Sequence, residues 1–190
     1  MGKYDAQIME TLNLYVLCDE NNIFYKMNEI KNRFSAIKRY YQNTIDIVDF
    51  YNYLDELDSA YKNNSFLSCL ERVKNSFDIP HYTANDLADI MTEIGNCVVS
   101  CLSTLTSKSL EKIVADAYNL YDVKNSIYDD VWYKRGTRGI CVDMERKISR
   151  LDVILLKDGS PKDGEVAVDT LMDTIVFCTF FIVSLKNIEK

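Results

Sequence analysis

Glu165, Asp169 and Asp173 recur every fourth residue just before an almost wholly apolar run, Thr174 to Leu185. At about 100° per helical residue, the three acids spread over roughly 80° of one helix face. Acids stacked this way repel by a few tenths of a kcal/mol per pair even in water, so a cation must sit opposite them. Lys147 and Arg150 lie three apart on the preceding helical stretch, with Asp143 one turn earlier. Two chemistries suit such a set. One is a plain interhelical ion network. The other is a divalent metal with a phosphate behind it. Magnesium accepts carboxylates, waters and phosphate oxygens. A metal-activated water would then attack the α-phosphorus of a nucleotide, with Lys147 and Arg150 stabilising charge on the phosphoryl oxygens. Upstream, Lys124, Asn125, Tyr128 and Trp132 bring a cation, an amide and two rings on which a base stacks.

The elements that must hold these residues read as helices. Ile8, Leu12, Tyr15 and Val16 predict a helix over 4–18. Phe24, Met27, Ile30, Phe34, Ile37 and Tyr41 predict one over 23–42. Thr44 caps an expected helix to Tyr61, and Asn63-Asn64-Ser65 opens another to about Phe77. Pro80 disfavours helical geometry at Ile79 and marks the clearest break. Helices are expected over 84–105, from Ser107 or Ser109 to about Leu120, over 122–134, over 141–157, and from Glu165 to about Lys186. A Gly-containing loop is expected at 136–139. No segment alternates with period two, and six Gly and two Pro are too few for the tight turns of an all-β fold. The expectation is an all-α multi-helix bundle of eight to ten helices, divided near residue 110 or continuous.

Asp89-Ile-Met-Thr-Glu93 before an apolar half-helix echoes Asp169-Thr-Leu-Met-Asp173 before its own. A pseudo-duplicated bundle would give this echo. So would two unrelated core helices with exposed starts.

A net charge of −7 argues against a general nucleic-acid-binding surface, which would be basic. It leaves room for a local cationic patch, for which Lys134-Arg135-Gly136-Thr137-Arg138-Gly139 is a candidate, or for a solvated loop there. Cys97 and Cys101 are a helical i,i+4 pair, and the lone His81 completes no zinc site with them. Cys18, Cys69, Cys97, Cys101, Cys141 and Cys178 are expected as free thiols, most of them inside apolar helical runs and in a reducing compartment. The first residues lack the pattern of a secretory signal or of myristoylation. The longest apolar run is about a dozen residues, short of the ~20 that span a bilayer. A cytoplasmic protein without membrane contact is expected. The 13 tyrosines suit amphipathic rim packing or a partner-binding surface.

The block from 122 to 187 resembles the nucleotide-modification-associated domain 1 family, a helical module of phages and bacteria. Its pattern is Lys-Asn-x-x-Tyr-Gly-x-x-Trp, a Lys and an Arg three apart, then Glu-x-x-x-Asp-x-x-x-Asp. Lys124, Asn125, Tyr128, Trp132, Lys147, Arg150, Glu165, Asp169 and Asp173 follow it in order. Asp129 stands where the family has Gly, and Ile127 where it often has an acid. The family is similar in layout to all-α nucleotide pyrophosphohydrolases of MazG and dimeric dUTPase type. The resemblance implies magnesium held by Glu165, Asp169 and Asp173, catalytic support from Lys147 and Arg150, and nucleotide contacts from Lys124, Asn125, Tyr128 and Trp132. A MazG-type site draws four acids from two helices, so further acids would come from Asp89 and Glu93 or from another subunit.

Three functions follow as expectations. The first is a nucleotide-binding protein, as a magnesium-dependent nucleoside triphosphate pyrophosphohydrolase or a nucleotide-modification accessory. The second is a non-catalytic helical interaction protein with a phage or host-defence partner, or a homo-oligomer. The third is a nucleotide sponge that keeps the pocket without hydrolysis.

Overall fold

A computed structural model describes residues 2–19, 22–43, 82–156 and 164–188. The expectations for 44–77 and Pro80 lie outside the described residues. Seven helices and no strand are found among the described residues: α1 (Asp5–Leu12), α2 (Ile23–Asn43), α3 (Ala84–Thr106), α4 (Leu110–Tyr128), α5 (Val131–Lys134), α6 (Gly136–Leu156) and α7 (Gly164–Ile188). The all-α expectation holds. The chain divides into two compact units, Met1–Ile37 with Ala84–Lys190, and Lys38–Thr83. The first carries all the chemistry considered below.

α7 is the axis of that unit. It packs most extensively against α3 and α6, and also meets α1, α4 and α5. Its apolar run dictates this position, because a helix without a polar stripe must be covered on most sides. Ile175, Cys178, Phe181 and Val183 are fully buried. Val166–Asn187 is long and apolar enough to cross a membrane, with mean hydropathy 2.0, and two-thirds of its most apolar stretch is buried inside the fold. Three of its buried hydroxyls bond within the helix: Thr170, Thr174 and Thr179 donate to the carbonyls of Val166, Thr170 and Ile175 at 2.7–2.9 Å.

Several boundaries differ from expectation. α1 stops at Leu12, not Cys18, and Val16 is exposed. The segment after it runs along α3, where Asn96 Oδ1 accepts from the Val16 N–H at 2.9 Å and Ser100 Oγ from the Cys18 N–H at 2.7 Å. Side chains of α3 thus replace the helical partners those amides would have had. α2 buries Met27, Ile30, Phe34 and Ile37 as its spacing implied, but leaves Phe24 exposed. α4 begins after Ser109, whose hydroxyl accepts from the Lys112 N–H, and runs through Tyr121 without a break. The expected loop at 136–139 is the first turn of α6, reached through Gly136 at φ +62°, a backbone conformation that favours glycine.

Candidate functional site: a cationic cavity beside an aromatic one

Three short rows of side chains meet on one side of α7. On α7 itself, Asp173, Phe177 and Phe180 fall within about 60° of arc at helical spacing. On α6, Asp143, Lys147 and Arg150 do the same, beside a buried stripe of Ile140, Met144, Ile148, Leu151 and Leu155. That stripe packs α6 against α7 and so fixes which way the charged row faces. The third row is the end of α4, Lys124, Asn125 and Tyr128, followed by Trp132 on α5.

Two adjoining cavities lie among them. The cationic one, about 450 Å³, is lined by Lys124, Arg135, Arg146, Lys147, Arg150, Asp143, Asp173 and Phe177. The aromatic one, about 360 Å³, shares Lys124, Arg135, Asp143 and Phe177 with it. It adds Tyr128, Trp132 and Phe180, with Asn125, Asp129, Val131 and Ile140. Both sizes fall in the range of small-molecule sites.

Five cations therefore face two carboxylates in a chain whose net charge is −7. Each carboxylate is bridged. Lys124 Nζ donates to Asp173 Oδ1 and Lys147 Nζ to Asp173 Oδ2. Arg146 donates to Asp143 Oδ1, and Arg135 pairs with Asp143 Oδ2. Burial pushes the Asp173 carboxyl up, but hydrogen bonds from the two ammonium groups outweigh it and hold the group below its ordinary value. Arg150 is exposed and makes no ion pair among the described residues.

The aromatic wall is built around Trp132. Phe180 stacks on it at 4.2 Å and 5°, while Tyr4 and Tyr133 meet it edge-on at 5.3 and 5.7 Å. Trp132 is 8% exposed, so it lines the cavity as a fixed wall and gives one face to Phe180. Tyr128, 65% exposed, makes no ring contact among the described residues and has faces open at the rim. Three buried polar atoms here lack a partner: Asn125 Oδ1, Asp130 Oδ1 and Trp132 Nε1. Such atoms are costly to leave unpaired, and two of the three belong to residues that line the aromatic cavity.

Of the residues singled out from sequence, Lys124, Asn125, Tyr128, Trp132, Lys147, Arg150 and Asp173 line these two cavities. Asp169, one turn before Asp173, is exposed and lines neither. The side chain of Glu165 lies outside the described residues. Glu93, considered as a further acid, is paired with Arg33. Among the described residues no three His, Cys, Asp or Glu side chains converge as ligands for one ion. With both Asp173 oxygens on lysines, the described acids do not fit a protein-held magnesium.

Phe177, Phe180 and Arg146 escaped the sequence reading. The first two lie four and seven residues beyond Asp173 on the same α7 face, and that periodicity is the signal that would have found them. Comparison of the chain with protein families, characterised proteins and solved structures finds no match.

Proposed function

We propose that this protein binds a nucleoside polyphosphate, with the base in the aromatic cavity and the phosphates over the cationic one. The observation that carries this reading is the continuity of the two cavities through Lys124, Arg135, Asp143 and Phe177. A nucleotide has the same two-part chemistry: a flat ring with a polar edge, joined to a dense negative charge. Tyr128 offers a π face to the ring. Asn125 and Trp132 belong to the same wall, and each carries a buried polar atom without a partner among the described residues. Arg and Lys are the side chains that take phosphate oxygens.

Retention of the nucleotide, as by a sponge or an accessory factor, suits the geometry better than pyrophosphohydrolysis. Both acids that line the cationic cavity are held by two cations each. Neither is free to activate a water. The likeness of residues 122–187 to the nucleotide-modification-associated module supports the same ligand class on motif spacing.

Melting curves test the proposal. ATP, GTP, CTP and dTTP are each added to the purified chain, and at least one should raise Tm by several degrees. A ligand at about 100 times its Kd adds about 2.7 kcal/mol. The double variant Lys147→Met, Arg150→Met should lose that rise while its own ligand-free Tm stays near wild type. Arg150 has no ion pair among the described residues, and Asp173 keeps Lys124. No rise with any of the four would refute the proposal.

A second reading draws on one observation. Val123, Ile127, Tyr128 and Val131 are 47–67% exposed along the outer side of α4 and the turn after it. An apolar strip of this kind suits a protein partner or a second copy of the chain. Light scattering across a concentration series measures the self-association it would give, and a monomer throughout would discard the homo-oligomer.

A further inference from the structure

We infer that the cationic cavity takes the polyphosphate as the free anion, without magnesium, and that Asp173 is a resident counter-ion which the ligand displaces. The inference deepens the nucleotide proposal and rests on it only for the base.

The charge pattern carries it. Each oxygen of Asp173 receives one lysine ammonium, and each oxygen of Asp143 one arginine. A carboxylate so placed occupies the donors that a phosphate would use. A di- or triphosphate brings more charge and more acceptor oxygens than a carboxylate, so it competes for those donors. Arg150, without an ion pair among the described residues, is available before any exchange.

The same pattern disfavours a metal complex. Five cations against two carboxylates leave a surplus of three positive charges. A free di- or triphosphate tail matches that surplus, whereas bound magnesium cancels two of its charges. Magnesium would also claim phosphate oxygens that the lysines and arginines need. A single phosphate carries at most about two charges and matches the surplus poorly. The ligand class is therefore a nucleoside di- or triphosphate. A metal-ligand role and a counter-ion role for Asp173 predict opposite mutant effects. Removing a ligand abolishes binding, whereas removing a competing anion strengthens it.

Calorimetric titration of the full chain separates these outcomes. Inorganic tripolyphosphate, ATP and AMP are titrated in EDTA and in excess magnesium at matched ionic strength, into wild type and Asp173→Asn. Tripolyphosphate and ATP should both bind in EDTA, AMP at least about tenfold more weakly, given its single phosphate. Magnesium should weaken ATP binding about fivefold or more. Asp173→Asn should tighten it by a similar factor, the scale of one charge a few ångströms away near a surface. Binding that needs magnesium, or that vanishes in a folded Asp173→Asn, would overturn the inference. If that variant does not fold, the magnesium comparison on wild type decides alone. Equal affinity for tripolyphosphate and ATP would remove the base, and with it the nucleotide reading, while leaving this inference standing. Tight ATP binding with no tripolyphosphate binding would do the reverse.

Discussion

Asp129 sits at φ 52° and ψ −165°, a region that residues with a side chain occupy at a cost of about 1–3 kcal/mol. It closes α4, its N–H donating to the Asn125 carbonyl at 2.8 Å, and the Asp129 carbonyl accepts from the Val131 N–H at 2.8 Å. The turn places Tyr128 and Trp132 on the same cavity. Asp129→Gly should therefore stabilise the fold by about 1 kcal/mol, the relief of strain exceeding the extra freedom that glycine has when unfolded. Urea unfolding of both proteins measures it, and a less stable variant would show that the Asp129 carboxylate contributes a contact that outweighs the strain. At this scale much of the site was legible. The spacing of Lys124, Asn125, Tyr128 and Trp132 singled out one wall, and Lys147 with Asp173 one ion pair across two helices. Their partners were not legible. Lys124 and Lys147 converge on one carboxylate although 23 residues separate them. Periodicity along a single helix carries no information about such a meeting. Trp132 also differs from expectation, since a ring already stacked on Phe180 is a wall and leaves the open stacking faces to Tyr128.

Gly95 of α3 leaves the space that the Tyr15 ring fills. A Cβ built at Gly95 would come within 2.0 Å of Tyr15 Cε1. Tyr15 cannot easily yield: it is buried, and its hydroxyl meets Thr179 Oγ1 of α7 at 3.2 Å. Thr179 spends its own proton on Ile175, so Tyr15 is the donor. Gly95→Ala should cost about 1–3 kcal/mol from overpacking, set against about 1 kcal/mol of improved helix propensity. The net expectation is a loss, largely recovered in Gly95→Ala with Tyr15→Leu because the two positions touch. Equilibrium unfolding of the two single variants and the double variant checks the coupling. Additive losses would contradict it. The helices of this contact were read from apolar spacing, and α3 and α7 match that reading within a few residues. The end of α1 was not, because the Val16 and Cys18 amides beyond it donate to Asn96 and Ser100 of α3, some 80 residues away. The run of α4 through Tyr121 was missed for a related reason. Tyr121 looks like a boundary in sequence, but its hydroxyl is anchored on buried Asp5 at 2.9 Å, which keeps this stretch of helix packed on the N-terminal segment.

Across the whole molecule, charge is sorted. The chain carries a net charge of −7, while five cations collect around one cavity beside a buried aromatic cluster. On the proposed reading, that local surplus is the complement of a short polyanion. The thiols take no part in this sorting. Cys97, Cys101, Cys141 and Cys178 are buried, and burial pushes the first three up to about 12. They act as small core residues, and thiolate chemistry at neutral pH is suppressed. In the proposed function the aromatic and cationic cavities form one nucleotide site. Trp132 is the sole tryptophan of the chain and lines the aromatic cavity, so its emission reports on that site alone. The direct test is a titration of Trp132 fluorescence with ATP, adenosine and tripolyphosphate. A saturable change is expected with ATP, at lower concentration than with adenosine, with loss of that advantage in Lys147→Met, Arg150→Met. An emission spectrum unmoved by ATP, or moved equally by adenosine in wild type and double variant, would contradict it.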